Sequence, residues 1–112
     1  MARISKDQNV VTLINVFTVA PDRQQELVDL LVEATEKVMS KQPGYVSANI
    51  HKGLDGTTVA NYAQWRSREA FEAIFRNPEA TAHMEKIAGL AKFEAHLYEV
   101  AYTDEAAGSE VR

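Results

Sequence analysis

Hydrophobic and polar residues follow two different periods along this chain, and each change of period marks the boundary of a predicted element. Residues 10–19 (VVTLINVFTV) are rich in β-branched side chains and predict a strand. Alternate positions share a face, and one face carries Leu13, Asn15, Phe17 and Val19. Ile14 and Val16 point the other way. A strand that is apolar on both faces is a central strand with a covering layer on each side.

A helical period follows the first strand. One stripe of this predicted helix carries Leu27, Leu30, Leu31, Ala34 and Val38. Asp22 is a suitable N-cap, and Gln25, three residues later, is its capping-box partner. The Pro-Gly pair at residues 43–44 predicts the end of the helix.

The second half of the chain predicts a hairpin, two helical segments and a last strand. Residues 45–52 and 58–65 are the hairpin strands, and the turn between them contains the Asp-Gly signal. Ser67 is the predicted cap of a short helix, and Asn77 followed by proline starts the next one. Residues 94–103 predict the last strand.

The order β-α-β-β-α-β predicts an α+β fold of ferredoxin-like type with a four-stranded antiparallel sheet. Right-handed crossovers place the first and third strands side by side at its centre, with the helices on one face. The other face is apolar too, which predicts that a second copy covers it in a two-fold homodimer. We expect one domain over residues 10–103, an N-terminal extension over 1–9 and a disordered polar tail over 104–112.

Composition excludes several classes of function. The chain has 112 residues, a net charge of −4 and no basic cluster, which argues against nucleic acid as a partner. It has no cysteine, so disulfides and thiolate catalysis are excluded. No apolar stretch is long enough to span a bilayer, and no secretory signal is visible. We therefore expect a cytoplasmic protein that does not bind membranes.

Two asparagines and the single tryptophan are the candidate chemistry. Asn61 and Trp65, in the segment NYAQW, share one face of the third strand, and Asn15 lies on the first strand. If those strands are neighbours, two amides and an indole line one pocket for a small molecule. The predicted apolar walls are Phe17, Phe71, Phe75 and Met84. In the alternative interpretation, both asparagines bond local backbone groups and Trp65 is a core residue.

The three histidines predict no metal site, because no pair has the i, i+4 spacing of a helical site. A two-residue hairpin turn would direct His51 away from Asn61, whereas a three-residue turn would direct it to the same face. His83 lies beside Met84 and could reach the pocket mouth or face solvent. His96 has a structural role in our interpretation. The glycines form no phosphate loop or dinucleotide fingerprint, so no cofactor is predicted.

Four segments resemble the antibiotic biosynthesis monooxygenase domain family. They are residues 13–19 (LINVFTV), 43–48 (PGYVSA), 61–65 (NYAQW) and 96–100 (HLYEV), and the resemblance covers residues 10–102. NYAQW is especially similar to the small actinorhodin- and tetracenomycin-type enzymes. The resemblance implies a dimeric α+β barrel that uses dioxygen, without metal or flavin, to oxidise anthrones and naphthacenones to quinones.

The same resemblance implies catalytic roles for Asn15, Asn61 and Trp65. A pocket tyrosine of one family member corresponds to Phe71 here, so the phenolic hydroxyl is lost. The expected base is His51, His83 or solvent. Two other functions stay open: haem binding and degradation, with His83 as the iron ligand, and a non-catalytic dimeric protein that binds a small molecule. A tryptophan of the haem-degrading members falls near Ile74, which counts against the first of these.

Overall fold

A computed structural model describes residues 3–6 and 9–107, and it confirms the predicted order of elements. The strands are β1 (Val11–Thr18), β2 (Tyr45–Lys52), β3 (Thr58–Trp65) and β4 (Lys92–Tyr98). The helices are α1 (Gln24–Lys37), α2 (Arg68–Glu72) and α3 (Pro78–Ala88). Short 3-10 helices lie at Pro21–Arg23, Met39–Lys41 and Ala73–Arg76.

The four strands form one antiparallel sheet in the order β2-β3-β1-β4, so the prediction that β1 and β3 lie at its centre is confirmed. In this register Asn15 of β1 lies directly opposite Asn61 of β3. On its other side Asn15 is opposite Ala95 of β4. The two asparagines are therefore a cross-strand pair in the middle of the sheet.

The predicted cap of α1 is wrong. Asp22 lies within the 3-10 helix Pro21–Arg23, and α1 begins at Gln24 without a side-chain cap. A 3-10 turn begins at Pro21, because the proline ring fixes φ at a helical value. In this turn the Arg23 N–H donates a hydrogen bond to the Ala20 carbonyl (2.9 Å). The Gln24 amide instead donates to the carbonyls of Gly53 (3.0 Å) and Thr58 (2.9 Å), which ties α1 to the β2–β3 turn.

The other two predicted caps are confirmed. Ser67 Oγ accepts a hydrogen bond from the Ala70 N–H (3.0 Å) at the start of α2. Asn77 Oδ1 accepts from the N–H groups of Glu79 (2.9 Å) and Ala80 (3.2 Å), and Pro78 occupies the first turn of α3. These caps fix where the two helices begin beside the end of β3.

The predicted bounds of the last strand are wrong at both ends. β4 runs from Lys92 to Tyr98 rather than over residues 94–103, because it pairs with β1 alone. The pairing stops at Tyr98, which lies opposite Thr12 near the start of β1. Residues 104–107 carry no helix or strand, and residues 108–112 of the predicted tail lie outside the described residues, as do 1, 2, 7 and 8 of the extension.

The core lies between the sheet and the helices in two clusters. One cluster consists of Phe17, Val19, Leu27, Leu31, Val59, Ile87 and Ala91. The second consists of Leu13, Val38, Ala63, Trp65, Ile74 and Ala80. Within residues 3–6 and 9–107, no helix has the length and apolar character needed to cross a membrane.

Truncating Leu27 should lower stability strongly, because its side chain is completely buried in the first cluster. We expect Leu27→Ala to lower the free energy of unfolding by about 2–5 kcal/mol. The matched control is Leu54→Ala, since Leu54 is fully exposed in the β2–β3 turn and should change stability by less than about 0.5 kcal/mol. Urea unfolding of both variants measures the difference, and equal midpoints would contradict this packing.

Candidate active site

An apolar cavity of about 150 Å³ lies between the sheet and the helices. Its walls come from every strand, from α1, α2 and α3, and from two of the 3-10 helices. The lining residues are Leu13, Asn15, Phe17, Leu31, Ala34, Thr35, Met39, Tyr45, Ala48, Asn61, Ala63, Trp65, Phe71, Ile74, Phe75, Met84, Ile87, Phe93 and Ala95. Few of these residues have a polar side chain, and the only two carboxamides are those of Asn15 and Asn61.

Asn15 and Asn61 lie side by side on neighbouring strands, in the wall of the cavity that the sheet forms. Directly opposite residues on antiparallel strands have Cβ atoms about 5 Å apart, so the two carboxamides are close neighbours. Both Oδ1 atoms are buried, yet neither has a hydrogen-bond partner among the described residues. The two oxygens therefore bond neither the opposite amide nor the backbone, which contradicts one part of the alternative interpretation. Its other part is confirmed, because Trp65 belongs to a buried core cluster.

Trp65 forms a second polar point in the cavity. Its ring is 3% exposed, and its Nε1 is buried without a hydrogen-bond partner in the part of the chain that is described. The indole makes edge contacts with Tyr45 (5.7 Å between ring centroids) and Phe71 (6.2 Å). Trp65 lies four positions after Asn61, which is about 13 Å along the strand. The two polar points thus lie at different places along the cavity.

Leaving these three groups unpaired is costly. A buried polar group without a partner lowers stability by about 1–3 kcal/mol, and native proteins contain few such groups. Thr12 Oγ1, on the opposite face of the sheet, is the only other one among residues 3–6 and 9–107. Three of the four unpaired groups belong to residues that line one cavity. This concentration of unpaired groups indicates a binding site. Its ligand would have an apolar body and a few polar groups that pair with these atoms.

The predicted walls are all present in the cavity. Phe17, Phe71, Phe75 and Met84 line it, and Phe71 packs edge-on against Phe75 (5.4 Å). Phe75 is 53% exposed and Phe93 is 50% exposed, so these two rings border the opening to solvent. Aromatic rings on several sides of a narrow space suit a flat, aromatic guest.

None of the three histidines lines the cavity. His51 pairs opposite Ala60 and is exposed on the other face of the sheet from Asn61, so the position expected from a three-residue turn is wrong. His83 Nδ1 lies 3.0 Å from the Glu79 carbonyl oxygen on α3, and His83, which was predicted to bind substrate at the pocket mouth, is not among the lining residues. His96 Nε2 lies 3.1 Å from Glu94 Oε2. Within the described ranges, no three His, Cys, Asp or Glu residues are grouped to hold a metal ion.

This placement predicts that His51 is dispensable for chemistry in the cavity. We expect His51→Ala to keep the rate of substrate oxidation within about twofold of the original chain, since a general base must lie within hydrogen-bond reach of its proton. Steady-state rates with an aromatic substrate provide the measurement. A loss of tenfold or more, with the fold intact by circular dichroism, would contradict the assignment of His51 to the outer face.

Tyr45 is a lining residue that sequence reasoning did not identify. It starts β2 and lies opposite Trp65, but the register shifts between Tyr45 and Ser47. This irregularity is a β-bulge, and no pattern in the sequence predicted it. Burial raises the pKa of the Tyr45 phenol above its usual value, so the group keeps its proton at neutral pH.

Comparison with known proteins agrees with this architecture. The family model described as "Antibiotic biosynthesis monooxygenase" matches residues 10–86, which is well over half of the chain and includes Asn15, Asn61 and Trp65. The chain belongs to the antibiotic biosynthesis monooxygenase family. The resemblance noted in the sequence is thereby confirmed, and so is the ferredoxin-like fold that it implied.

Relatives in this monooxygenase family are similar over nearly the whole chain. Tetracenomycin-F1 monooxygenase of Streptomyces glaucescens is 41% identical over 103 residues, which cover 92% of each protein. The structure of SnoaB, a cofactor-independent oxygenase from Streptomyces nogalater, has a TM-score of 0.76 and 25% identity, covering 86% of this chain and 97% of SnoaB.

A third relative was solved with a ligand. The monooxygenase ActVA-Orf6 of Streptomyces coelicolor, in complex with Nanaomycin D, has a TM-score of 0.69 and 28% identity, covering 85% of this chain and 92% of its own. Together these matches identify the chain as an enzyme, a monooxygenase of the oxidoreductase class.

Proposed function

We propose that this monooxygenase oxidises a planar aromatic polyketide of the anthrone or naphthacenone type to a quinone, using dioxygen and neither metal nor flavin. Asn15, Asn61 and Trp65 are the groups we assign to catalysis. Phe17, Phe71, Phe75 and Met84 hold the ring system. The observation that carries the proposal is the set of unpaired carboxamide and indole groups in a cavity whose other walls are almost entirely apolar.

Three relatives support this choice of chemistry. The 41%-identical relative is named for tetracenomycin F1, SnoaB is described as cofactor-independent, and ActVA-Orf6 was solved with Nanaomycin D. A flat polycyclic guest also explains why six aromatic rings border the same space, those of Phe17, Tyr45, Trp65, Phe71, Phe75 and Phe93. A flexible aliphatic substrate would gain less from such rigid walls.

The reaction needs no cofactor, because the substrate itself supplies the electrons. Loss of a proton from the reacting carbon of an anthrone gives an electron-rich enolate. The enolate passes one electron to dioxygen, and the resulting substrate radical and superoxide combine to form a carbon–oxygen bond. Loss of water from this peroxide leaves a carbonyl. One oxygen atom of O2 therefore enters the quinone and the other leaves as water, so the CH2 group becomes C=O.

The asparagine pair stabilises the developing enolate oxygen. Each carboxamide carries two N–H donors beside its acceptor oxygen, and rotation of the group by half a turn directs either one toward a guest. Two such donors in an apolar cavity act as an oxyanion hole, in which hydrogen bonds strengthen as negative charge develops. The buried apolar walls limit the water around the radical pair, except on the side where Phe75 and Phe93 border the opening.

The proton leaves to solvent in this proposal. Tyr45 is the only titratable side chain among the lining residues, and its raised pKa keeps the phenol protonated at neutral pH, so it does not accept the proton. The exposed rings of Phe75 and Phe93 leave the cavity open on one side, so water reaches the substrate there. Stabilising the enolate lowers the pKa of the bound anthrone enough for this weak acceptor to suffice.

Oxygen uptake with an anthrone tests the proposal. The protein is dialysed against chelator and shown to be free of flavin by absorbance, then mixed with anthrone in an oxygen electrode. We expect one O2 consumed per quinone formed, at a rate well above that of buffer. A rate equal to buffer, or a rate restored only by added metal or flavin, would contradict a cofactor-free oxygenase.

We also propose that two copies assemble through the sheet face that the helices leave uncovered. That face carries the apolar side chains of Ile14, Val16 and Tyr62, and Val16 is 43% exposed. Light scattering measures the mass directly. Twice the mass of the chain is expected, and a mass of one chain across the working concentration range would contradict the dimer.

A further inference from the structure

We propose that the hydroxyl of Tyr45 is a second point of polar contact with the substrate, and that the substrate carries an oxygen substituent on an outer ring to meet it. This inference rests on the proposed function, because it takes the guest to be a planar aromatic molecule. It assigns Tyr45 to specificity, at the Trp65 end of the cavity, whereas the asparagine pair acts on the reacting ring.

A β-bulge places Tyr45 in the cavity. Along β2 the outward-facing positions Ser47 and Asn49 alternate with inward-facing Ala48, which lines the cavity. Unbroken alternation would turn Tyr45 outward with Ser47. The extra residue between Tyr45 and Ser47 shifts the register by one, so that Tyr45 faces inward opposite Trp65. Bulges of this kind re-aim a side chain and are common beside active sites.

The turn before Tyr45 holds this position tightly. Gly44 has φ +86, and its carbonyl accepts a hydrogen bond from the Arg66 N–H (2.8 Å), which joins the turn to the residue after Trp65. A side chain at Gly44 would clash with the Cβ atom of Ala70 on α2. Only glycine fits there, so the chain can bring Tyr45 close beneath α2.

The phenol is free to bind a ligand. Among the residues that the structure describes, no hydrogen bond involves its hydroxyl, although the ring is fixed edge-on against Trp65 at 5.7 Å. The raised pKa of Tyr45 keeps the hydroxyl protonated at neutral pH, so it can donate to a phenol or carbonyl oxygen. Trp65 Nε1, unpaired in the same corner, offers a second donor.

Two polar points at different places along the cavity therefore define the class of guest. Asn15 and Asn61 meet one oxygen, and Tyr45 meets another that lies on an outer ring. An aromatic hydrocarbon with a single central carbonyl would satisfy the asparagines and leave Tyr45 unused. A hydroxylated polycycle would satisfy both points, which makes Tyr45 the residue that separates these two classes.

Binding of two non-reacting probes under nitrogen tests the inference without turnover. Anthraflavic acid carries a hydroxyl on each outer ring and is symmetric, so either orientation presents one to Tyr45; unsubstituted anthraquinone has none. Trp65 is the only tryptophan, so its fluorescence reports binding at this site. We expect Tyr45→Phe to weaken binding of anthraflavic acid by about 3- to 10-fold, the effect of one hydrogen bond, with anthraquinone unchanged within about twofold.

Tyr62→Phe is the matched control, because Tyr62 lies opposite Ile14 on the other face of the sheet and does not line the cavity. It should leave the dissociation constants of both probes unchanged. The inference is overturned if Tyr45→Phe binds anthraflavic acid as tightly as the original chain, if both probes weaken equally, or if neither probe binds the original chain. A protein that shows the expected selectivity yet consumes no O2 with anthrone would keep Tyr45 as a binding residue and lose the oxygenase function.

Discussion

Asn61→Ala is expected to lower kcat for anthrone oxidation by about 10- to 1000-fold, the range found when one donor of an oxyanion hole is removed. Asn61 lies opposite Asn15, and no side-chain hydrogen bond holds either carboxamide in the described structure, so the N–H donors of both amides are available to the enolate oxygen. Since both amides serve the same oxygen, the double variant Asn15→Ala/Asn61→Ala should lose less than the product of the single losses.

The free energy of unfolding of Asn61→Ala should not fall with its activity. Removing a buried amide that has no partner relieves a cost of about 1–3 kcal/mol, so Asn61→Ala should be as stable as the original chain or more stable. Loss of activity without loss of stability is the pattern expected of a residue retained for function. Oxygen uptake and urea unfolding measure the two quantities on the same sample.

Asn49→Ala supplies the matched control for this prediction. Asn49 lies on β2, faces away from the cavity, and donates a hydrogen bond to the Tyr62 carbonyl (3.1 Å). Its loss should weaken the fold slightly and leave kcat within about twofold, since it touches no substrate. Equal activity in Asn61→Ala and Asn49→Ala would remove the asparagine pair from the mechanism.

Ala63→Ile is expected to reduce activity by at least about 100-fold, because it fills the space that joins the two polar points and blocks the guest. Ala63 lies on β3 midway between Asn61 and Trp65, is 3% exposed, and lines the cavity. Isoleucine suits a strand, and the cavity of about 150 Å³ can accept its added methyl groups. The loss should therefore come from exclusion of substrate and not from unfolding.

A graded series separates blocking from general disturbance. Ala63→Val adds less volume than Ala63→Ile and should lose less activity, with both variants within about 1–3 kcal/mol of the original stability. The dissociation constant of anthraflavic acid should rise in the same order. If both variants bind the probe and turn over as the original chain does, the guest does not occupy this part of the cavity.

Much of the site followed from the sequence because it depends on strand period and topology. The alternation of residues along β1 and β3 placed Asn15 and Asn61 on cavity-facing positions, and the order of elements made those strands neighbours. Phe17 followed from the same alternation, whereas Phe71, Phe75 and Met84 followed from the helical segments that the order of elements places over the sheet. These features need only the direction in which each side chain points, which the period of a strand dictates.

Other features depend on contacts between distant residues, and the sequence did not reveal them. The inward position of Tyr45 requires a bulge, and a bulge depends on how β2 meets β3. The end of β4 is set by where β1 begins, not by its own residues. The position of His51 depended on the form of the β2–β3 turn, for which the Asp-Gly signal allowed two registers.

The start of α1 shows a competition between two local signals. Asp22 has the chemistry of an N-cap, but Pro21 before it begins a 3-10 turn and moves the helix start to Gln24. The amide of Gln24 then bonds the hairpin turn far along the chain. A capping preference describes one residue by itself, and here the proline before Asp22 decided where the helix begins.

A crystal structure of the protein with anthraflavic acid would show whether the two asparagines bind the guest. We expect one guest molecule between the sheet and the helices, with one of its oxygens within about 3.2 Å of the side chains of both Asn15 and Asn61. Its ring plane should contact Trp65 and Phe71. A guest bound elsewhere, or a guest in the cavity whose oxygens avoid both asparagines, would contradict it.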